Sequence, residues 1–150
     1  MTPQGRDVAS RRGCHPRRKA TLLLIVAALP GDQLRYMREE AGAVGLDVLC
    51  EVHDREELAR AAELGCEAIG VNSRDLRTFA VRPETLIELA PHLPPDAVHV
   101  AESGIRDLEE IIALQAAGYG AFLIGEALMR QPDPAGALAL LLDRQYSSEF

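Results

Sequence analysis

From Thr21 onward the chain alternates between two hydrophobic periods. Five short runs are nearly continuous in apolar side chains: Thr21–Leu29 (TLLLIVAAL), Asp47–His53 (DVLCEVH), Glu67–Asn72 (EAIGVN), Ala97–Ser103 (AVHVAES) and Gly120–Gly125 (GAFLIG). Strands buried on both faces read this way. Between them lie helical patterns. Leu34, Met37, Ala41 and Val44 recur at helical spacing, which marks one face of a helix. Asp54–Glu57 and Asp107–Glu110 each read as a D-x-x-E box that opens a helix. Pro83 suits a first helical turn, with Leu86, Leu89 and Ala90 behind it, and Leu138, Leu141 and Leu142 give the last helix an apolar face. Gly45, Gly65 and Gly118 each stand where a helix should stop, just before a strand.

This pattern amounts to five β/α units with short connections, and it demands a parallel sheet with right-handed crossovers. Two architectures satisfy it, an open doubly wound sheet or part of a barrel, and periodicity does not separate them. No G-x-G-x-x-G follows the first strand, which weighs against dinucleotide binding. A complete eight-unit barrel needs about 250 residues, so the 150 residues here hold only part of one. With aromatics at 4% and no tryptophan, the core must be aliphatic. No apolar run approaches the ~18 residues of a membrane span.

Charge divides the chain in two. Residues 1–20 carry Arg6, Arg11, Arg12, Arg17, Arg18 and Lys19 against Asp7, a net of +5. The rest carries 10 arginines against 22 acids, a net of −12. Nucleic-acid binding needs a basic face, so the body is not expected to bind it. The head reads as a disordered leader, and residues 21–150 as the folded domain. Cys14, Cys50 and Cys66 are odd in number and lack metal-type spacing, which argues against a disulfide framework or a zinc site. Cys50 and Cys66 are expected to be small buried residues in a reduced, cytoplasmic protein. No metal or cofactor is expected, and His15, His92 and His99 form no ligand pattern.

In parallel β/α folds, ligands bind at the carboxyl ends of the strands. The polar residues at those ends are Glu51, then Asn72 to Asp75, then Glu102 to Gly104, then Gly125 and Glu126. Glu51 lies in an apolar run, where a carboxylate is costly unless paired or used. It reads either as a structural ion pair or as a general base or substrate ligand. Asn72 and Arg74 organise the loop or bind substrate, with Arg74 offering a fork for carboxylate or phosphate. Ser103-Gly104-Ile105 before a capped helix is a candidate phosphate cradle, and Gly125-Glu126 offers a second such turn. His53 points away from Val52 and can reach the rim, but reads as a packing or loop residue.

Five motifs in order carry a resemblance: Leu23–Leu29, Glu51-Val52-His53, Asn72-Ser73-Arg74-Asp75-Leu76, Glu102-Ser103-Gly104-Ile105 and Leu123–Met129. Together they resemble indole-3-glycerol phosphate synthase of tryptophan biosynthesis, over residues 21–142. The resemblance implies strands four to eight of an eight-unit (β/α) barrel. It also implies a carboxy-lyase that closes the pyrrole ring of 1-(2-carboxyphenylamino)-1-deoxyribulose 5-phosphate, with loss of carbon dioxide and water. Glu51 then resembles the general base, Asn72 and Arg74 resemble substrate-orienting residues, and Glu102 resembles an active-site carboxylate. Ser103, Gly104 and Gly125 resemble the phosphate site, with Glu126 beside it. An acid at Glu126 favours backbone contact with the phosphate. Ser73 departs from the asparagine usual at its position.

The family's general-acid lysine lies on its strand three, and another lysine and a glutamate lie on strand one. Lys19 is the chain's single lysine and matches none of them. General acid catalysis typically contributes about 10²–10⁴-fold, so the isolated chain is expected to be nearly inactive. Three readings follow: a piece of the synthase completed by a partner that supplies strands one to three, a phosphate-sugar-binding module without turnover, or a truncated or frameshifted product. A five-strand sheet leaves two open edges, which predicts self-association.

Overall fold

The computed structural model describes residues 20–146. The expected leader, with Lys19, therefore lies almost wholly outside the described residues. Five strands form one sheet: β1 (Thr21–Ile25), β2 (Asp47–Val52), β3 (Ala68–Asn72), β4 (Val98–Glu102) and β5 (Ala121–Leu123). Six α-helices accompany them: α1 (Gln33–Ala43), α2 (Arg55–Glu63), α3 (Glu84–Leu89), α4 (Leu108–Ala116), α5 (Glu126–Met129) and α6 (Pro134–Tyr146). None of the described helices is long and apolar enough to cross a membrane.

Topology settles the choice between the two architectures. All neighbouring strands are parallel, and their spatial order is their chain order, β1-β2-β3-β4-β5. A doubly wound sheet reverses its order at a switch point, and this one does not. It is a five-unit segment of a β/α barrel.

The local signals explain the elements. Oδ1 of Asp54 accepts the Glu57 N–H at 2.9 Å, and Oδ1 of Asp107 accepts the Glu110 N–H at 3.0 Å. The return legs of both boxes fall one residue early: Glu57 reaches the His53 N–H and Glu110 the Arg106 N–H. Gly45, Gly65 and Gly118 take positive φ after α1, α2 and α4. Strand β1 is shorter than its apolar run, because Val26–Ala28 tightens into a 3₁₀ turn.

The core lies on one side of the sheet. Leu24, Cys50, Val52, Ile69, Val71 and Ala101 project outward and pack under Leu34, Leu58, Leu86, Leu89, Ile111 and Leu114 of the helices. The opposite face, the inside of the barrel, is open in part, although Val100 on it is buried. Leu23, Val98 and Leu123 there are 46%, 55% and 51% exposed. The continuous apolar strands therefore do not lie buried on both faces among the described residues. In α6 Leu141 joins the core, while Leu138 and Leu142 are exposed.

The cysteine expectation needs correction. Cys50 in β2 and Cys66 before β3 are joined as a disulfide, with Cα atoms 6.5 Å apart. Both are buried as expected, but paired. An odd count does not exclude one pair, and the third cysteine, Cys14, lies outside the described residues.

Candidate active site

Parallel pairing brings the carboxyl ends of the strands to one rim. Glu51 stands next to last in β2, Asn72 ends β3 and Glu102 ends β4. The register sets Glu51 beside Gly70 and Asn72 beside Glu102. Side chains alternate along a strand, so these residues all project to the inner face, and all three polar side chains are buried. Asn72 Nδ2 donates to Glu51 Oε1 at 3.1 Å, while Asn72 Oδ1 accepts the Arg74 N–H at 3.0 Å. One side chain thus holds a carboxylate and shapes the following loop.

Gly70 makes room for Glu102. A Cβ there would overlap Oε1 of Glu102 and lie 3.4 Å from Leu49 Cδ1. Burial, then the negative charge of Glu51 and a hydrogen bond shared with it, push the Glu102 carboxyl up to about 7. Oε1 of Glu102 is buried without a hydrogen-bond partner. Glu102 therefore holds a proton into the neutral range, next to Glu51. Unlike surroundings that push two carboxyls apart divide them into acid and base.

Arg74 sits at the outer part of the rim. Its guanidinium donates to the Phe79 carbonyl at 3.2 Å and to Oε2 of Glu126, whose Oε1 accepts Arg130 Nη2 at 2.6 Å. Glu126 is exposed, and the hydrogen bond from Arg74, with the charges of Arg130 and Arg74, holds its carboxyl below the usual range. Ser73 is buried and ties the loop after β3 to the one after β4. Its N–H donates to the Glu102 carbonyl and its Oγ to the Ser103 carbonyl, both at 3.0 Å.

Ser103 and Gly104 adopt left-handed backbone in succession, φ 63° and 73°. Such strain in a non-glycine residue persists where surrounding structure imposes it, often at functional sites. Residues 105–107 intervene before α4, so the Ser-Gly turn does not run straight into the helix. Gly104 also packs tightly: an added Cβ would lie 2.9 Å from Val81 Cγ1 and 3.0 Å from Ser73 Oγ. A cavity of about 460 Å³ opens beside it, lined by Gly104, Ile105, Arg106, Glu126, Ala127 and Arg130 among others. Gly125 caps the four-residue α5 and faces open space.

The structure thus gathers Glu51, Asn72 and Glu102 into one cluster and Arg74 with Glu126 into another, with Ser103 and Gly104 bound to the first through Ser73. Sequence reasoning missed two contributors. Gly70, a lone glycine inside a strand, signals close approach by another group. His53, read as a packing residue, places Nε2 3.1 Å from Glu51 Oε1.

Comparison with known proteins shows the family. A model of the family described as indole-3-glycerol phosphate synthase matches residues 17–141. The indole-3-glycerol phosphate synthase of Koribacter versatilis is 55% identical over 121 residues, 81% of this chain and 46% of the relative. That of Nocardioides sp. is 48% identical over 117 residues, 78% of this chain and 45% of the relative. The chain spans just under half the length of these curated relatives. Among solved structures, one described as native KDPGal superposes with a TM-score of 0.57 at 19% identity, covering 83% of this chain and 58% of the other. Mandelate oxidase with benzoyl-formic acid superposes with a TM-score of 0.57 at 23% identity, covering 82% and 47%. These two likenesses concern the fold alone.

Proposed function

The chain belongs to the indole-3-glycerol phosphate synthase family, and from that premise we propose that it carries the general base and the phosphate-binding end of that family's site. The observation that carries the reading is the cluster of Glu51, Asn72 and Glu102 on three adjacent parallel strands, beside the left-handed Ser103-Gly104 turn.

The substrate is a phosphorylated small molecule, 1-(2-carboxyphenylamino)-1-deoxyribulose 5-phosphate. Closing its pyrrole ring forms a carbon–carbon bond with loss of carbon dioxide and then water. Glu51, held by Asn72, removes the proton released as the ring becomes aromatic. Glu102 supplies a neutral carboxyl on the same rim. Asn72 and Arg74 orient the substrate, with Arg74 exchanging its contact with Glu126 for a substrate anion. The backbone at Ser103, Gly104 and Gly125 receives the phosphate, as N–H groups in left-handed turns do. Glu126 stands at the edge of this pocket and steers Arg74 and Arg130 rather than meeting the phosphate itself.

Expulsion of hydroxide needs an acid, which the resemblance assigns to a lysine on a preceding strand. The reading for the chain as it stands is binding of the phosphate ester without turnover. A partner or further segment supplying strands one to three completes the chemistry. Two measurements test this. Titration with indole-3-glycerol phosphate, followed by tryptophan-free intrinsic fluorescence of the ligand, should show saturable binding that inorganic phosphate competes away. Incubation with the ribulose substrate should show no rise in indole fluorescence. Turnover by the purified chain, or failure to bind the ester, would overturn the reading.

A further inference from the structure

Two buried carboxylates, Glu51 and Glu102, share the rim, and besides the Asn72 donor to Glu51 what distinguishes them is the histidine that follows β2. His53 lies two residues beyond Glu51. Its backbone N–H donates to Glu57 Oε2 at 2.8 Å, and its ring Nδ1 lies 3.0 Å from that same oxygen. A carboxylate only accepts, so Nδ1 carries a hydrogen and the ring is fixed in orientation. That orientation leaves Nε2 3.1 Å from Glu51 Oε1. Nε2 is buried and makes no hydrogen bond, so this close approach is an ion pair only when the ring carries both hydrogens. A bare nitrogen lone pair against an ionised oxygen would be repulsive. With a hydrogen on Nε2 as well as on Nδ1, the pair would be an imidazolium beside a carboxylate.

The groups around this pair are accounted for. Asn72 of β3 donates to the same Oε1 of Glu51. Ile25 of β1 and Gly70 of β3, the register neighbours of Glu51, carry no charge. From α2, Glu57 holds the ring, and the Asp54 carboxylate is spent on its cap. The cavity of about 230 Å³ on the other side of His53 is lined by Asp54, Glu57, Asp75 and Arg77 among others. Asp75 there accepts the N–H groups of Arg77 and Thr78. Among the described residues, the ion-pair contact of Glu51 is with His53. Glu102 faces Glu51 from β4, and its Oε1 has no donor.

We propose that His53 is a positioning residue that divides the roles of the carboxylate pair: fixed by Glu57, it holds Glu51 as the carboxylate and leaves the proton on Glu102. The inference rests on the reading of Glu51 as the base and deepens it, because a positive ring beside one member of the pair favours the carboxylate form there.

The test is a carboxyl-carbon NMR titration of the full chain labelled at glutamate, with Glu51→Gln and Glu102→Gln for assignment. In the wild type, the step near 7 should belong to the Glu102 signal, with the Glu51 signal little changed across it. In His53→Phe, the Glu51 and Glu102 signals should each report the same two steps, because interacting carboxyls that are no longer told apart titrate as a pair. His53→Gln keeps a donor but no charge. It should show the same sharing of steps to a smaller extent, and it serves if the phenylalanine variant fails to fold. An unchanged, solitary Glu102 step in a folded variant would overturn the role of His53. The titration uses no ligand. Failure of the wild type to bind indole-3-glycerol phosphate would sink the functional reading separately, whereas unchanged titration with intact binding sinks this inference alone.

Discussion

Replacing Glu102 by glutamine should reshape the dependence of stability on pH. The Glu102 carboxyl is raised from 4.5 to about 7 in the fold, first by burial and then by the charge of Glu51. A group that binds its proton more tightly folded than unfolded stabilises the fold fully below its unfolded value. That stability is lost as pH rises through the folded value. At about 1.4 kcal/mol per pH unit, the rise corresponds to at most about 3.5 kcal/mol, lost between pH 4.5 and about 7. Glutamine has the same shape and no charge to bury at any pH. Urea unfolding followed by far-ultraviolet circular dichroism, at constant ionic strength and several protein concentrations, should give two curves. The wild type should lose stability relative to Glu102→Gln across this window, with the gap constant above pH 8. Parallel curves would refute the argument, because they would mean that Glu102 is no harder to ionise in the fold than in the unfolded chain.

Three further outcomes follow from the structure. Tyr119 is buried, and its hydroxyl donates to the Leu86 carbonyl at 2.7 Å. Tyr119→Phe removes this bond and leaves the Leu86 carbonyl with the Ala90 N–H alone, and should cost about 1 kcal/mol in thermal unfolding. Gly104→Ala puts a Cβ into left-handed backbone, at about 1–2 kcal/mol, and against Val81. It should weaken indole-3-glycerol phosphate binding at least about tenfold, the equivalent of about 1.4 kcal/mol, and an unchanged Kd would count against the phosphate assignment. With β1 and β5 at the sheet edges and Leu23, Val98 and Leu123 exposed on the inner face, light scattering should report dimers or larger species at micromolar concentration. A monodisperse monomer would contradict this.

The units themselves were legible because their signals are local. Asp54 and Asp107 cap helices through atoms three residues away, and Gly45, Gly65 and Gly118 stop helices by their own backbone freedom. The face of α1 was only half right: Leu34 and Ala41 are buried, but Val44 lies past the helix end and is exposed. The Cys50–Cys66 pairing joins residues 16 apart across two strands, and an odd count cannot reveal such a pair. His53 was misread because its partners are set by where the ring points, not by its neighbours in the chain.

The sequence by itself determined five β/α units, the polar residue types at the strand ends and the family to which they belong. All of these follow from periodicity and from short ordered motifs. Tertiary structure decided that the sheet is a sequential barrel segment rather than a doubly wound one, since strand order is a property of packing. It also decided that the inner face is open in part, that Gly70 admits Glu102, and that His53 stands against Glu51 but not Glu102. Each of these depends on register between strands distant in the chain. A shift of one residue would turn the carboxylates from the rim into the helix-covered core.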